Sequence, residues 1–299
     1  MSSALPRVAA VTMVRNEGRM LRKWLDHYGG QLGMDSVVVV DDSSDDGSTE
    51  GLDCRVERIR PIKGEFEPAR MRIVSKVAAK LLRRHDAVVF ADADEFIVPD
   101  PAKYAGLREF AAARRGSQAV GVMCLNVVHH VPTEPPLDYG RPFLDQRHLV
   151  KFVPLFCKPA LKFVRNEWTT ASHGIRGASY AVDPELFMFH MKFADRDHLA
   201  RVAAHRRSMV DLDGRAAATS WQFTSDEMLD LLDRLNAEVG ADLGPDLDKV
   251  ADFVPNPARL AEIVTTLDNG ITRSTGARMV PAMERRPFRR IPARFRGVV

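Results

Sequence analysis

Three clusters in the first hundred residues could hold a charged ligand. Arg15-Asn16-Glu17 follows the apolar run Val8–Val14, and Asp41-Asp42-Ser43-Ser44-Asp45-Asp46-Gly47 follows Ser36–Val40. Asp92-Ala93-Asp94-Glu95-Phe96 follows Ala87–Ala91. Carboxylates gathered on one rim carry too much negative charge to stay without a counterion, so they suit a divalent cation or a ligand with several donors. Hard oxygen ligands favour Mg2+ or Mn2+, which keep open positions for phosphate oxygens. Asp92 and Asp94 are the sharpest pair. Two residues apart in extended chain they would share a face. At a strand end the backbone turns, and one can meet a metal directly while the other acts through water or a ligand hydroxyl. An isolated Asp-x-Asp is a common surface turn. Directly after a buried strand and before Glu-Phe-Ile-Val-Pro it is far more specific.

For these clusters to meet, the elements between them must alternate. Met20, Leu21, Trp24, Leu25 and Tyr28 recur at helical spacing after the first strand. A short strand is expected around Val56–Ile59. Glu67–Arg84 reads as an amphipathic helix, with Ile73, Val74, Val77, Ala78 and Leu81 inside and Arg70, Arg72, Lys76 and Lys80 outside. Strands alternating with helices predict βαβ units and a parallel sheet covered on both faces, and such sheets bind ligands beyond the carboxyl ends of their strands. The pattern loosens after residue 100. A helix over Tyr104–Arg114, a strand over Ala119–Val128 and a long loop over 129–148 come first. Strand-like pieces follow near Leu149–Phe156, Leu161–Val164, Ser179–Val182 and Phe187–His190, then helices over Arg196–Arg207, Asp226–Val239 and Pro257–Leu267.

The 299 residues are 28% charged and 45% hydrophobic, an ordinary globular composition. No apolar run approaches the ~18 residues that a membrane span needs, and the N-terminus lacks a signal-peptide pattern. Three scattered cysteines (Cys54, Cys124, Cys157) argue against a zinc ribbon or a disulfide scaffold, so a reduced, cytoplasmic protein is the expectation. The net charge of +3 hides an uneven spread: six arginines fall at 285, 286, 289, 290, 294 and 296, with no acid after Glu284. Pro287 and Pro292 exclude a regular helix there, so a flexible basic arm is expected. Its arginines and two phenylalanines suit an anionic membrane surface. Nucleic acid is not expected, because no other basic stripe or recognition motif is present.

The runs VTMVRNE (11–17), VVVVDDSSDDGST (37–49) and VVFADADEFIVP (88–99) resemble, in order and spacing, the nucleotide-sugar half of glycosyltransferase family 2, in its branch with a DxDEF signature. The resemblance covers residues 7–100 well and the rest thinly. It implies a GT-A fold, a Rossmann-like αβα sandwich with a mostly parallel sheet, a mixed second half and C-terminal helices. On that division residues 1–100 are the nucleotide-sugar half of one domain, 101–270 the acceptor half and C-terminal helices, and 271–299 the basic tail. It implies that Thr12, Arg15 and Glu17 line the nucleotide pocket, that Asp41 bonds the base, and that Asp42 shares that role or touches the ribose. Asp92, with Ala93, would lie by the ribose or sugar, and Asp94 would hold Mn2+ or Mg2+ bridging the diphosphate. His173 and His190 are the nearest equivalents of the branch's later histidines and join the metal candidates. The implied activity is transfer, with inversion, from a nucleoside diphosphate sugar, a UDP-linked one being the expectation, to a glycan or lipid-linked acceptor in bacterial polysaccharide synthesis. A bound metal would act on the leaving diphosphate, and a carboxylate would take the acceptor's proton. The ED pair and QxxRW box common in the family are absent, which leaves Glu167 and Asp195 as candidate bases.

Plainer readings compete at several positions. Asp45 and Asp46 suit a turn beside Gly47, His129 and His130 suit a loop, and Trp24, Trp168 and Trp221 suit packing. Lys158, Lys162 and Arg165 form either a solvated strand face or a diphosphate contact. A nucleotidyltransferase or phosphatase could use the same aspartate rim, and a nucleotide-sugar binder without a base is a third possibility.

Overall fold

Alternating side chains of β1 (Val8–Val14) face two different layers of helices, and this sets the architecture. The computed structural model describes residues 4–62, 65–214, 220–243 and 247–299. Val8, Ala10 and Val14 pack with Met20, Leu21, Trp24 and Tyr28 of α1 (Gly18–Leu32), which ends at Gly33 with φ +84°. Ala9, Val11 and Met13 instead pack on the other face, the period-2 alternation of a strand covered on both sides. β2 (Val37–Asp41) and the short β3 (Arg55–Arg58) extend the sheet in parallel. On the second face, α2 (Phe66–Leu81) buries Met71, Val74, Val77 and Ala78. β4 (Ala87–Phe90) pairs in parallel with β1 on its other edge. The expected βαβ half is therefore present.

Past residue 90 the chain reverses direction more often. β5 (Glu95–Pro99) and α3 (Leu107–Ala113) precede the wholly buried β6 (Ala119–Val128). β7 (Leu149–Phe152) and β8 (Leu161–Lys162) run antiparallel to β6, and β8 also bridges β6 to β4. β9 (Glu167–Trp168) and β10 (Gly174–Arg176) leave this sheet for a small antiparallel one. The two strand pieces expected near residues 179–190 are one strand, β11 (Tyr180–Phe193), with a register shift between Val182 and Phe187. β11 runs parallel to β6 and antiparallel to β5. One mixed sheet thus crosses both halves of the sequence, parallel through β3-β2-β1-β4 and mixed beyond.

The C-terminal third packs around this sheet. α4 (Arg196–Asp213) and α5 (Ser225–Leu243) bury Leu199, Leu231, Leu232 and Leu235 with Phe193. The helix expected over Pro257–Leu267 stops early. α6 (Pro257–Ala261) gives way to β12 (Val264–Thr266), whose β-branched residues pair with β13 (Ile271–Ser274) in the small sheet. The tail also departs from expectation. α7 (Met279–Arg285) is followed by β14 (Arg289–Arg290), which pairs with β7, and Phe288 and Phe295 are buried. The Phe295 ring packs against Phe187 at 4.7 Å between centroids. Arg290 pairs with Asp252 at 2.6 Å and Arg294 with Asp100 at 2.9 Å. The prolines do exclude a long helix here, but an edge strand and buried aromatics fix the segment instead. Among its arginines, 285, 286, 294 and 296 are exposed. No helix among the described residues is long and apolar enough to cross a membrane.

Candidate functional site

Where β1, β2 and β4 end, the chain encloses a cavity of about 560 Å3. Its lining includes Arg15, Glu17, Asp42, Asp92, Ala93, Asp94, His173 and His190, eight of the residues singled out from the sequence. Thr12 and Asp41, from the same set, are wholly buried beneath it and do not line it.

Asp41 closes its own loop. One carboxylate oxygen accepts the Ser44 N–H at 2.7 Å, and the other accepts from Thr49 Oγ1 at 2.9 Å and Arg58 Nε at 2.8 Å. Burial works to raise its pKa, but these hydrogen bonds to Ser44, Arg58 and Thr49 bring it below the usual aspartate value. Asp42 accepts the Ile62 N–H at 3.1 Å. Asn16, at φ +56°, ties the β1 loop to the β2 loop through bonds with Ser44 and Asp45 of 2.9 to 3.0 Å. Asp45 and Asp46 serve the turn, as the plainer reading has it, with Asp46 accepting the Ser48 N–H at 2.9 Å.

The Asp92–Glu95 turn is built differently. The Glu95 N–H donates to the Asp92 carbonyl at 2.9 Å, and the Asp92 N–H donates back to Glu95 Oε2 at 2.8 Å. Lys158 donates to the same Oε2 at 2.6 Å and stands 3.9 Å from Asp92 Oδ2. Arg70 pairs with Asp92 Oδ1 and, at 3.3 Å, with Glu67. Burial alone would raise Asp92, but Arg70 and Lys158 hold it below the usual range. Arg70 belongs to the face of α2 that was expected outside, yet it is 9% exposed. The first turns of α2 overhang the strand ends, so a position outside the sheet contact is inside the cavity.

Asp94 is 7% exposed, and its Oδ2 lies 3.5 Å from His190 Nε2 and 3.8 Å from Arg206 Nη2. Burial opposes its charge, but His190 and Arg206 hold its pKa far below the carboxylate range. The His190 ring is oriented from behind: Nδ1 bonds Asn126 Oδ1 at 2.8 Å, and the Asn126 amide N–H2 is turned to Cys124 Sγ at 3.6 Å. His173 also lines the cavity, and burial lowers its pKa to about 3, so its ring is neutral. Among the described residues no three His, Cys, Asp or Glu side chains are gathered as a metal cage.

Neither candidate base reaches the cavity. Glu167 is exposed on β9, and Asp195 caps α4 through His198 N–H at 2.8 Å while also accepting the Leu137 N–H at 2.8 Å. An Asp three residues ahead of a helical residue is a readable capping signal. Glu17 does line the cavity, and burial raises its pKa to about 7, against Arg206 and with Asp94, Asp92 and Asp46 adding to the rise. Sequence reasoning did not single out Lys192, His205 or Arg206, all in the lining. They lie about a hundred residues beyond the aspartates, and only the packing of β11 and α4 over the strand ends brings them there.

No family model matches the sequence, and no curated protein matches it. Solved structures do. A mannosyltransferase from Pyrobaculum calidifontis, solved with GDP-Man and Mn2+, aligns over 82% of this chain and 77% of its own at 17% identity, with a TM-score of 0.36. A mannose-1-phosphate geranyltransferase from Thermus thermophilus aligns over 81% of this chain and 66% of its own at 11% identity, with a TM-score of 0.30. Both likenesses are remote.

Proposed function

We propose that this chain is a GT-A-type glycosyltransferase that binds a nucleoside diphosphate sugar with a divalent cation and passes the sugar to a glycan or lipid-linked acceptor. The observation that carries the reading is the facing of Asp94 and His190. Asn126 Oδ1 accepts from His190 Nδ1, which turns Nε2 to the Asp94 carboxylate 3.5 Å away, where Nε2 donates when it carries a proton and offers a lone pair when it does not. A divalent cation would take the place of a proton shared there, since both groups present lone pairs once the proton has left. Neighbouring ligands of an octahedral ion, each at about 2.1 Å, stand roughly 3 Å apart. The pair therefore fits Mn2+ or Mg2+ as a two-ligand site, with its other positions left to phosphate oxygens and water. The Asn126–His190 bond is the outer-shell support such a ligand needs.

Bound there, the ion would supply Lewis-acid stabilisation of the leaving diphosphate. The chain's own residues do the rest. Arg70 and Lys158 neutralise Asp92, so it can accept hydroxyl hydrogen bonds from ribose or sugar rather than compete for the ion. Phe66 and Trp221, whose rings lie 5.2 Å apart, give the cavity an aromatic wall beside Asp42 and Arg15 for a nucleobase. Glu17, titrating near neutrality, can take a proton from an acceptor hydroxyl, a role that Glu167 and Asp195, outside the lining, do not offer.

A thermal-shift panel of UDP, GDP, CDP, dTDP and ADP, each with Mn2+ or EDTA, tests the reading, because a ligand bound to the native state raises its apparent stability. A metal-dependent shift with one nucleotide is expected. No shift with any of them would contradict it and favour phosphatase chemistry on the same rim.

A further inference from the structure

The guanidinium of Arg206 lines the cavity between Trp221 and Asp94. Its carbon lies 5.5 Å over the Trp221 ring, the side chain is 19% exposed, and Nη2 approaches Asp94 Oδ2 only to 3.8 Å, beyond hydrogen-bond length. Among the described residues it donates no hydrogen bond. An arginine brings five N–H donors in a rigid fork and keeps its charge at every working pH. Withdrawing that fork from water without partners is unfavourable, and the geometry it matches is the paired oxygens of a phosphoryl group. The preceding residue of α4 repeats the signature: among the described residues His205 Nε2 is buried without a hydrogen-bond partner, and His205 also lines the cavity.

We infer that Arg206 is the phosphate-binding residue of the cavity, resting beside Asp94 until a diphosphate draws it away. This rests on the reading above and adds a consequence to it. In the ligand-free chain the Arg206 charge offsets Asp94 and repels a cation arriving there. A diphosphate that takes up the guanidinium releases Asp94 for the ion. The two ligands therefore help each other bind, by the same factor in either order, and Arg206 carries part of that coupling.

Calorimetry on the full chain reads this without any turnover. Inorganic pyrophosphate in EDTA, Mn2+ alone, and pyrophosphate with Mn2+ are titrated into the wild type, Arg206→Met and Arg206→Lys, with circular dichroism to verify folding. Arg206→Met is expected to weaken pyrophosphate in EDTA by about tenfold or more, the loss of charged hydrogen bonds, and to tighten Mn2+ alone severalfold. Arg206→Lys keeps the charge without the fork, so Mn2+ affinity should stay at the wild-type value while pyrophosphate falls in between. If the wild type binds pyrophosphate and folded Arg206→Met binds it equally well, this inference is overturned and the proposed function stands. If the wild type binds neither pyrophosphate nor Mn2+, both fall.

Discussion

Two aspartates on one rim of the sheet, Asp41 ending β2 and Asp94 after β4, look equivalent in the sequence and do opposite work. Asp41 has both oxygens filled by Ser44, Thr49 and Arg58 within 2.9 Å, all from its own loop and the next strand. Among the described residues the Asp94 carboxylate has only longer ion-pair contacts, to His190 at 3.5 Å and Arg206 at 3.8 Å, both from the far half of the chain. The first carboxylate is a fastener, buried and already accepting three hydrogen bonds. The second is enclosed by charge but, among the described residues, its carboxylate makes no contact shorter than 3.5 Å, which suits the proposed ion. An acidic residue at a strand end declares its role through what its oxygens already hold.

The largest test of the contrast is on the fastener. Asp41→Ala should cost about 3 kcal/mol, because it leaves a buried N–H and hydroxyl unsatisfied and frees Arg58. Denaturant unfolding measures it, and a cost under about 0.5 kcal/mol would show that the loop holds without Asp41. The pH dependence has a definite sign. Since the folded pKa is lowered, the stabilisation is complete above the unfolded value of about 3.9 and is lost as pH falls through the folded one. The gap between wild type and Asp41→Asn should therefore narrow only below about pH 4. A gap that closed between pH 8 and 6 would put its origin elsewhere.

Next in size is Arg70→Met. It leaves Glu67 without this cation and Asp92 with Lys158 alone, and because Asp92 is 31% exposed the expected loss is about 2 kcal/mol, below that for a fully buried pair. Nucleoside diphosphate affinity should fall as well, through repulsion from the uncovered Asp92. Unchanged affinity would make Arg70 purely structural.

Glu17→Gln should act through pH, with little effect in acid. Folded Glu17 keeps its proton up to about pH 7, whereas the unfolded chain releases it near 4.3. Wild-type stability therefore falls as pH rises across that interval and levels off above it. Glu17→Gln removes this loss, so it should match the wild type at about pH 4 and below and exceed it at pH 8. Parallel stability curves for the two proteins would refute the raised pKa.

Much of the first half was legible because burial on both faces demands continuous apolar strands, and Val8–Val14, Val37–Val40 and Ala87–Ala91 can be little else. The rim was legible too, since carboxylates directly after such strands have only one end of the sheet to occupy. Arg70 was misread because helical periodicity separates sheet-facing from other positions but does not tell solvent from a cavity roof. Asp195 and Glu167 were chosen by residue type, and type does not reveal that one caps a helix and the other faces water. Arg206 and Lys192 carry no local signal at all, since their meaning arises when β11 and α4 fold over strands a hundred residues earlier. The tail was misjudged for a related reason: its arginines dominate the composition, while buried Phe288 and Phe295 dominate its packing.

The central claim is that Asp94 and His190 hold a divalent cation together with a nucleoside diphosphate, and electron paramagnetic resonance of Mn2+ tests it most directly. Mn2+ titrated into the wild type with UDP or GDP should lose its free six-line signal as it binds. Asp94→Asn should leave that signal unbound at the same concentrations, while Asp41→Asn, once verified as folded, should bind as the wild type does. Wild-type Mn2+ binding in Asp94→Asn, or nucleotide affinity in the wild type that is identical with Mn2+ and with EDTA, would contradict the account.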